Sequence, residues 1–333
     1  MINSHIIPAF YLEQFATRKR KSKPGRIWVY EKTKEPDERA TRVQGRENGY
    51  FSYTEEDGSL NESFEQHLAD LEGQCNDVLV AAKSDLFHWP PGAVDKLAFY
   101  ATLLYSRATQ RCDFSGQIDS STHTEVERAA GDDEFLEKLV NDANSVVGRN
   151  LLTKDIIRRS ITRVLVEAKT ASARKKYFLS SLIYNTEYIS AILRQKSVQV
   201  WHAIEGCEFV TSDNPLVTFF PLPNGEFHPG YGFGKNGVVA AFPLASRACI
   251  TWGVPGGRSR TVGADIVAKV NETMIRLSDR YVYSKTRSEI VRERVNEYGG
   301  SVRYGKNALM PVGLKPPSVR QFIRRRFGLN AEA

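Results

Sequence analysis

The chain has 333 residues, 41% of them hydrophobic and 26% charged, with a formal net charge of +7. This is one large domain or two modest ones, long enough to bury a core without disulfides or metals. The absence of any run of about 18 apolar residues excludes a membrane helix. The start, Met1 to His5, lacks the basic-then-apolar order of a signal peptide, and Cys75, Cys112, Cys207 and Cys249 form no Cys-x-x-Cys pair. The expectation is a cytoplasmic protein with reduced thiols and no structural zinc.

In chain order, residues 5–16 are apolar with helical spacing after Pro8, so Phe10, Leu12, Phe15 and Ala16 predict a short buried helix. A basic stretch from Arg18 to Arg26 follows. Ile27 to Tyr30 reads as a strand, and residues 31–61 are polar and irregular. Residues 62–83 predict an amphipathic helix, with Phe64, Leu68, Leu71, Cys75, Val78, Leu79 and Ala82 recurring at three and four. The His88 to Gly92 stretch breaks it, and a second helix runs from about Ala93 to Arg111. Residues 113–131 read as a loop. Helical patterns return at 134–147 and 154–196, the latter with a break near Ala171.

After Gln195 the texture changes. Short β-rich runs at 198–201, 209–210, 216–220, 238–242 and 248–252 are punctuated by Gly and Pro. A helix at 264–277, a strand at 280–283, a helix at 289–298 and a basic helix at 319–327 complete the series. The expected class is α+β in a single large domain. A helical portion over about 1–196 precedes a mixed portion over 197–300 and a basic segment over 301–333.

The positive charge is segregated. Residues 1–26 carry six Lys or Arg against Glu13, and residues 299–333 carry seven against Glu332. Residues 154–176 carry eight against Asp155 and Glu167. Such clustering nominates a polyanion, most often nucleic acid; solubilising tails are the plainer alternative.

Several motifs fail their context. Gly232 to Gly237 matches Gly-x-Gly-x-x-Gly, but a strand-like run follows where a dinucleotide fingerprint needs a helix. Glu167-Ala168-Lys169 matches the Glu-x-Lys of metal-dependent nucleases, with Asp155 upstream, yet its helical surroundings favour a solvated pair. Thr211-Ser212-Asp213-Asn214-Pro215 lies between two β-like runs. Its Asp and Asn either bond nearby backbone amides or grip a substrate and polarise water. Glu65 and Glu72 project from one side of their helix, where they act as acid and base or pair with Arg107 and Arg111 of the next helix. His5, at the entrance to an apolar run, is either a packing residue or a participant.

Four segments in order, spanning nearly the whole chain, carry a resemblance. They are His5-Ile-Ile-Pro8-Ala-Phe10-Tyr11-Leu12; Phe64-Glu65 to Leu71-Glu72 with Tyr105-Ser106-Arg107; Phe209 to Pro215; and Phe242-Pro243-Leu244 with Asn271 and Tyr281 to Ser284. Together they resemble the prokaryotic family known as domain of unknown function 4238. The chain departs from it after Arg107, where Ala108-Thr109 replaces the usual Thr-Pro.

The resemblance implies a DNA glycosylase of antiviral defence that excises a modified, for example glucosylated, cytosine from phage DNA. On that expectation Asp213 stabilises the sugar cation, Asn214 orients water, and His5 or Glu65 aids departure of the base. Phe10, Tyr11, Gln14 and Ser212 contact the base. Arg107, Arg111, Arg158, Arg159, Arg163, Arg324 and Arg325 hold phosphates. No lysine falls inside the motifs, so hydrolysis to an abasic site is expected rather than a lyase step. No cofactor fingerprint appears. A metal-dependent nuclease and a non-catalytic nucleic-acid-binding protein are the alternatives.

Overall fold

The computed structural model describes residues 3–17, 23–55, 57–82, 90–108, 131–134, 136–137, 140–141, 153–155, 158–159 and 171–301. Helices and sheets are interleaved along these residues, and the class is α+β. The expected helical first portion is corrected, because residues 3–61 are dominated by strands. These are β1 (Asn3–His5), β2 (Arg26–Glu31), β3 (Asp37–Ala40), β4 (Arg46–Asn48), β5 (Tyr53–Thr54) and β6 (Leu60–Asn61). Between β1 and β2 lie a single α-helical turn, α1 (Ala9–Leu12), and a 3-10 turn over Glu13–Phe15. Most of these strands are too short to show a two-residue alternation, and β4 is wholly exposed.

The long helices follow their apolar spacing. Helix α2 (Ser63–Ala81) buries Phe64, Leu68, Leu71, Cys75, Val78 and Leu79. Full burial of such side chains contributes about 1.5–3 kcal/mol each. Helix α3 (Ala93–Arg107) is buried along most of its length and packs against α2 and against α4 (Ala171–Arg194).

The later residues build a six-stranded sheet in the order β10-β9-β11-β12-β7-β13. Its members are β7 (Val198–Ala203), β9 (Val217–Pro221), β10 (Phe227–Pro229), β11 (Val239–Ala245), β12 (Ala248–Trp252) and β13 (Ser259–Val262). All its pairings are antiparallel except β13 with β7. The second, four-stranded sheet runs β3-β2-β14-β8, with β8 at Thr211–Ser212 and β14 at Tyr281–Ser284. It joins the two ends of the described chain. Helices α5 (Ala264–Leu277) and α6 (Glu289–Tyr298) match their predicted spans. The Gly232–Gly237 stretch is a loop that leads into β11, so no helix N-terminus is presented there. Among the described residues no helix is long and apolar enough to cross a membrane.

Candidate functional site

Two groups of motif residues use their polar atoms differently. The first is the Thr211–Pro215 turn. Asp213 receives three backbone N–H groups, from Asp279 at 2.7 Å, Arg280 at 2.6 Å and Tyr281 at 2.8 Å. Its own N–H returns to the Tyr281 carbonyl at 3.1 Å. The Asn214 side-chain amide donates to the Leu277 carbonyl at 2.9 Å, capping the end of α5. The Ser212 hydroxyl accepts the Asn214 N–H at 3.1 Å. The turn therefore clamps the link between α5 and β14 by satisfying backbone groups that would otherwise be buried and unpaired.

Burial pushes the Asp213 carboxyl up to about 7, against the opposing pull of its N–H donors. Both oxygens already accept backbone N–H groups. The hydrogen bonds of Asp213, Asn214 and Ser212 favour the backbone-bonding reading of this turn over the catalytic and substrate-contact roles expected of these residues.

Tyr11 belongs to the same framework. Its hydroxyl donates to the Pro243 carbonyl at 2.7 Å and shares a 2.8 Å bond with the Thr211 hydroxyl. Pro243 sits where the register of β11 shifts, which leaves its carbonyl available. The Tyr11 ring stacks on Phe242 at 5.2 Å and is 1% exposed, so it is core rather than a platform for a base. Asn271 completes the set by accepting the Val210 N–H and donating to the Glu208 carbonyl, each at 2.9 Å.

The second group lies where β1 meets the start of α2 and the end of α3. Strand β1 is held by pairing with β4, and the Ile6 N–H bonds to the Gly45 carbonyl at 2.7 Å. Gly45 has φ +62°, and a Cβ there would come within 3.0 Å of Ile7, so a glycine permits this close crossing. The crossing brings the His5 backbone N–H to Glu65 Oε1 at 3.3 Å. The Ser4 hydroxyl is a further donor to the Glu65 carboxylate. The second oxygen, Oε2, is buried and has no hydrogen-bond partner among the described residues. Burial raises the Glu65 pKa above its ordinary value; Arg107 opposes the rise and Glu72 reinforces it.

Arg107, 1% exposed, pairs through Nη1 with Glu72 on α2. Its guanidinium also lies 5.6 Å from the centre of the Phe51 ring. Among the described residues its Nε and Nη2 have no hydrogen-bond partner, and neither has the buried Tyr100 hydroxyl two turns earlier on α3. Tyr100 packs against Phe10 at 5.8 Å, and burial raises its pKa well above 10, with Glu72 and Arg107 both within electrostatic reach.

His5, Glu65 and Arg107 thus lie close together, an arrangement the sequence leaves open. No hydrogen bond, ion pair or ring contact joins Asp213 to any of the three among the described residues. For Glu72, the pairing with Arg107 favours the ion-pair reading of the helix pair. It also corrects the assignment of Arg107 to phosphate, because its charge is buried against a carboxylate. The His5 Nε2 accepts from Arg46 Nε at 2.9 Å, and the ring also has a backbone hydrogen bond at Arg42. Burial and Arg46 lower its pKa, so the ring is a neutral strap and its contribution to the site comes from its main chain.

Gln14 donates to the Phe10 carbonyl at 2.9 Å within its own turn. Phe10, half-buried beside Tyr100, keeps an edge at the site. Ser4, Phe51 and Tyr100 are additions. Of these, only the seven-residue spacing of Tyr100 from Arg107 is visible in sequence. Arg158 pairs with Asp133 and Asp155, and Arg159 bonds the Asp155 carbonyl at 3.2 Å. Arg111, Arg163, Glu167, Lys169, Arg324 and Arg325 lie outside the described residues. Among the described residues no group of three His, Cys, Asp or Glu side chains is placed to hold a metal ion. A cavity of about 520 Å³ lies elsewhere, between β10 and α5, and touches none of these residues.

Fold and site together define an α+β protein with an interior acid–arginine cluster at a helix-pair end. The chain belongs to the family described as proteins of unknown function, DUF4238, whose model matches residues 3–288. Comparisons with curated proteins and with solved structures find no match.

Proposed function

We propose that the protein is a DNA glycosylase that hydrolyses the bond between deoxyribose and a modified cytosine, of the kind phage DNA carries, as a step in antiviral defence. The observation that carries this reading is Glu65. It is a carboxylate fixed by a backbone N–H, with a raised pKa and one buried oxygen left open beside a buried arginine. Breaking the C1′–N bond leaves positive charge on the sugar and the electron pair on the base. An ionised Glu65 stabilises that charge and accepts a proton from the attacking water through Oε2. The new bond joins the water oxygen to C1′, and the proton passes on to the departing base. The products are a free base and an abasic site.

The basic segments supply the second support. A base must be flipped out of the stack, at a cost of a few kcal/mol, into an interior site. Phosphate contacts from clustered Lys and Arg offset that cost in a salt-dependent way.

The test is incubation with phage DNA bearing modified cytosines and with unmodified DNA, each with and without chelator. Free base and alkali-labile sites from the modified DNA alone, unaffected by chelator, are expected. Direct strand cleavage abolished by chelator would mark a metal-dependent nuclease instead. Salt-sensitive binding that leaves the DNA unaltered would mark a non-catalytic binding protein.

A further inference from the structure

The Arg107 guanidinium has two functional edges, and the structure uses only one. Nη1 is bonded to Glu72, and Phe51 lies under the face. The Nε–H and one Nη2–H run parallel along the remaining edge, a rigid two-donor fork. Both atoms are buried and without a partner. Leaving two donors of a charged group unpaired in the interior is costly, and the cost is removed when a ligand with two adjacent acceptors occupies the edge.

Carboxylate, phosphate and some nucleobase edges all match such a fork. The surroundings choose among them. Glu72 already balances the arginine charge, and Glu65 adds a second acid close by. An incoming anion would place like charges together at a position 1% exposed, where water does not screen them. A neutral planar ring meets no such repulsion, and Phe51, Tyr100 and Phe10 give the cluster aromatic walls. A ring nitrogen next to an exocyclic carbonyl, as in the N3 and O2 of cytosine, presents the required acceptor pair.

We infer that Arg107 reads the excised base itself, donating from Nε and Nη2 to two adjacent neutral acceptors of a pyrimidine, N3 and O2 of cytosine. This rests on the glycosylase reading for its reaction, though not for its binding step. In that reaction the fork also stabilises the negative charge that the departing base spreads onto O2 and N3 until it is protonated. Arg107 is then a specificity-determining contact.

The experiment measures binding of free cytosine, 3-deazacytosine, guanine and 7-deazaguanine to the full chain by ligand-observed NMR and calorimetry. It is repeated on Arg107→Lys, which keeps the charge facing Glu72 and loses the fork. Wild type is expected to bind cytosine about tenfold or more tightly than 3-deazacytosine, which has lost one acceptor. R107K is expected to bind the two equally. Preference for guanine over 7-deazaguanine would identify the other acceptor pair and overturn the cytosine assignment. Equal or undetectable binding of all four by wild type overturns the inference, whatever the DNA assay shows. If R107K fails to fold, the wild-type arms alone decide. If cytosine is selected but no DNA releases base, the binding inference stands and the glycosylase reading falls.

Discussion

The Thr211–Pro215 turn and the Glu65–Arg107 cluster both gather buried polar side chains, and they differ in what those side chains meet. In the turn, Asp213 accepts three backbone N–H groups, and the Asn214 amide caps a helix. One atom there, Asn214 Oδ1, has no partner. In the cluster, Glu65 Oε2, Arg107 Nε and Nη2 and the Tyr100 hydroxyl are all buried and unpartnered. Backbone satisfaction accounts for the turn. It leaves the cluster unexplained, and an arrangement that is costly without a ligand is the one to examine for function.

The largest effect that separates them is expected at Asp213. Asp213→Ala leaves three backbone N–H groups buried and unpaired, at about 1–3 kcal/mol each, so a loss of roughly 3–9 kcal/mol is expected in urea unfolding. Base release should track the fraction folded. A D213A protein of normal stability with no activity would return Asp213 to the chemistry. Glu65→Gln has the complementary pattern. It should lower base release by about 10²–10⁴-fold while thermal unfolding at acid pH stays nearly unchanged, because the amide oxygen still accepts from His5. Retained activity in E65Q would remove the carboxylate from the mechanism.

Acidity sharpens the contrast further. Burial raises the Glu65 pKa, and a general base works only when ionised, so activity should fall on the acid side above the ordinary carboxylate range. The stability effect has the opposite sense. A folded-state pKa above the unfolded one contributes stability fully below the unfolded value and loses it as pH rises through the folded value. Wild type should therefore lose melting temperature relative to E65Q across that window. A pH-independent difference between the two would sink the raised pKa.

Tyr11→Phe tests the framework more gently. It removes one hydroxyl and leaves the Pro243 carbonyl and Thr211 hydroxyl short of a partner, so about 1–3 kcal/mol of stability should be lost. The activity of folded Y11F should be little changed.

What the sequence discloses follows from range. Helices α2, α3, α5 and α6 are legible because their buried residues repeat every three or four positions over many turns. Strands β3 to β6 have two to four residues each and mostly exposed side chains, so they carry no period to read. The Glu72–Arg107 pair is legible as two helices with facing charges. The role of Asp213 is not, because its partners are main-chain N–H groups 66 to 68 residues away, which any residue type supplies. A carboxylate in a Ser-Asp-Asn-Pro turn has the same sequence whether it binds substrate or its own backbone.

The smallest expected effect belongs to His5, and it separates a side chain from the main chain that carries it. The imidazole joins the Arg42 backbone to the exposed Arg46 side chain, while Glu65 is held by the His5 backbone N–H. His5→Ala deletes the ring and keeps that N–H. A loss of about 1 kcal/mol or less in stability is expected, with base release reduced less than about fivefold. The reduction should be nearly constant from neutral pH upward, where burial and Arg46 favour the uncharged ring. A loss in His5→Ala as deep as that in E65Q, with an additional limb near the histidine range, would make the imidazole an acid–base partner. Glu65 would then share its role with the ring beside it.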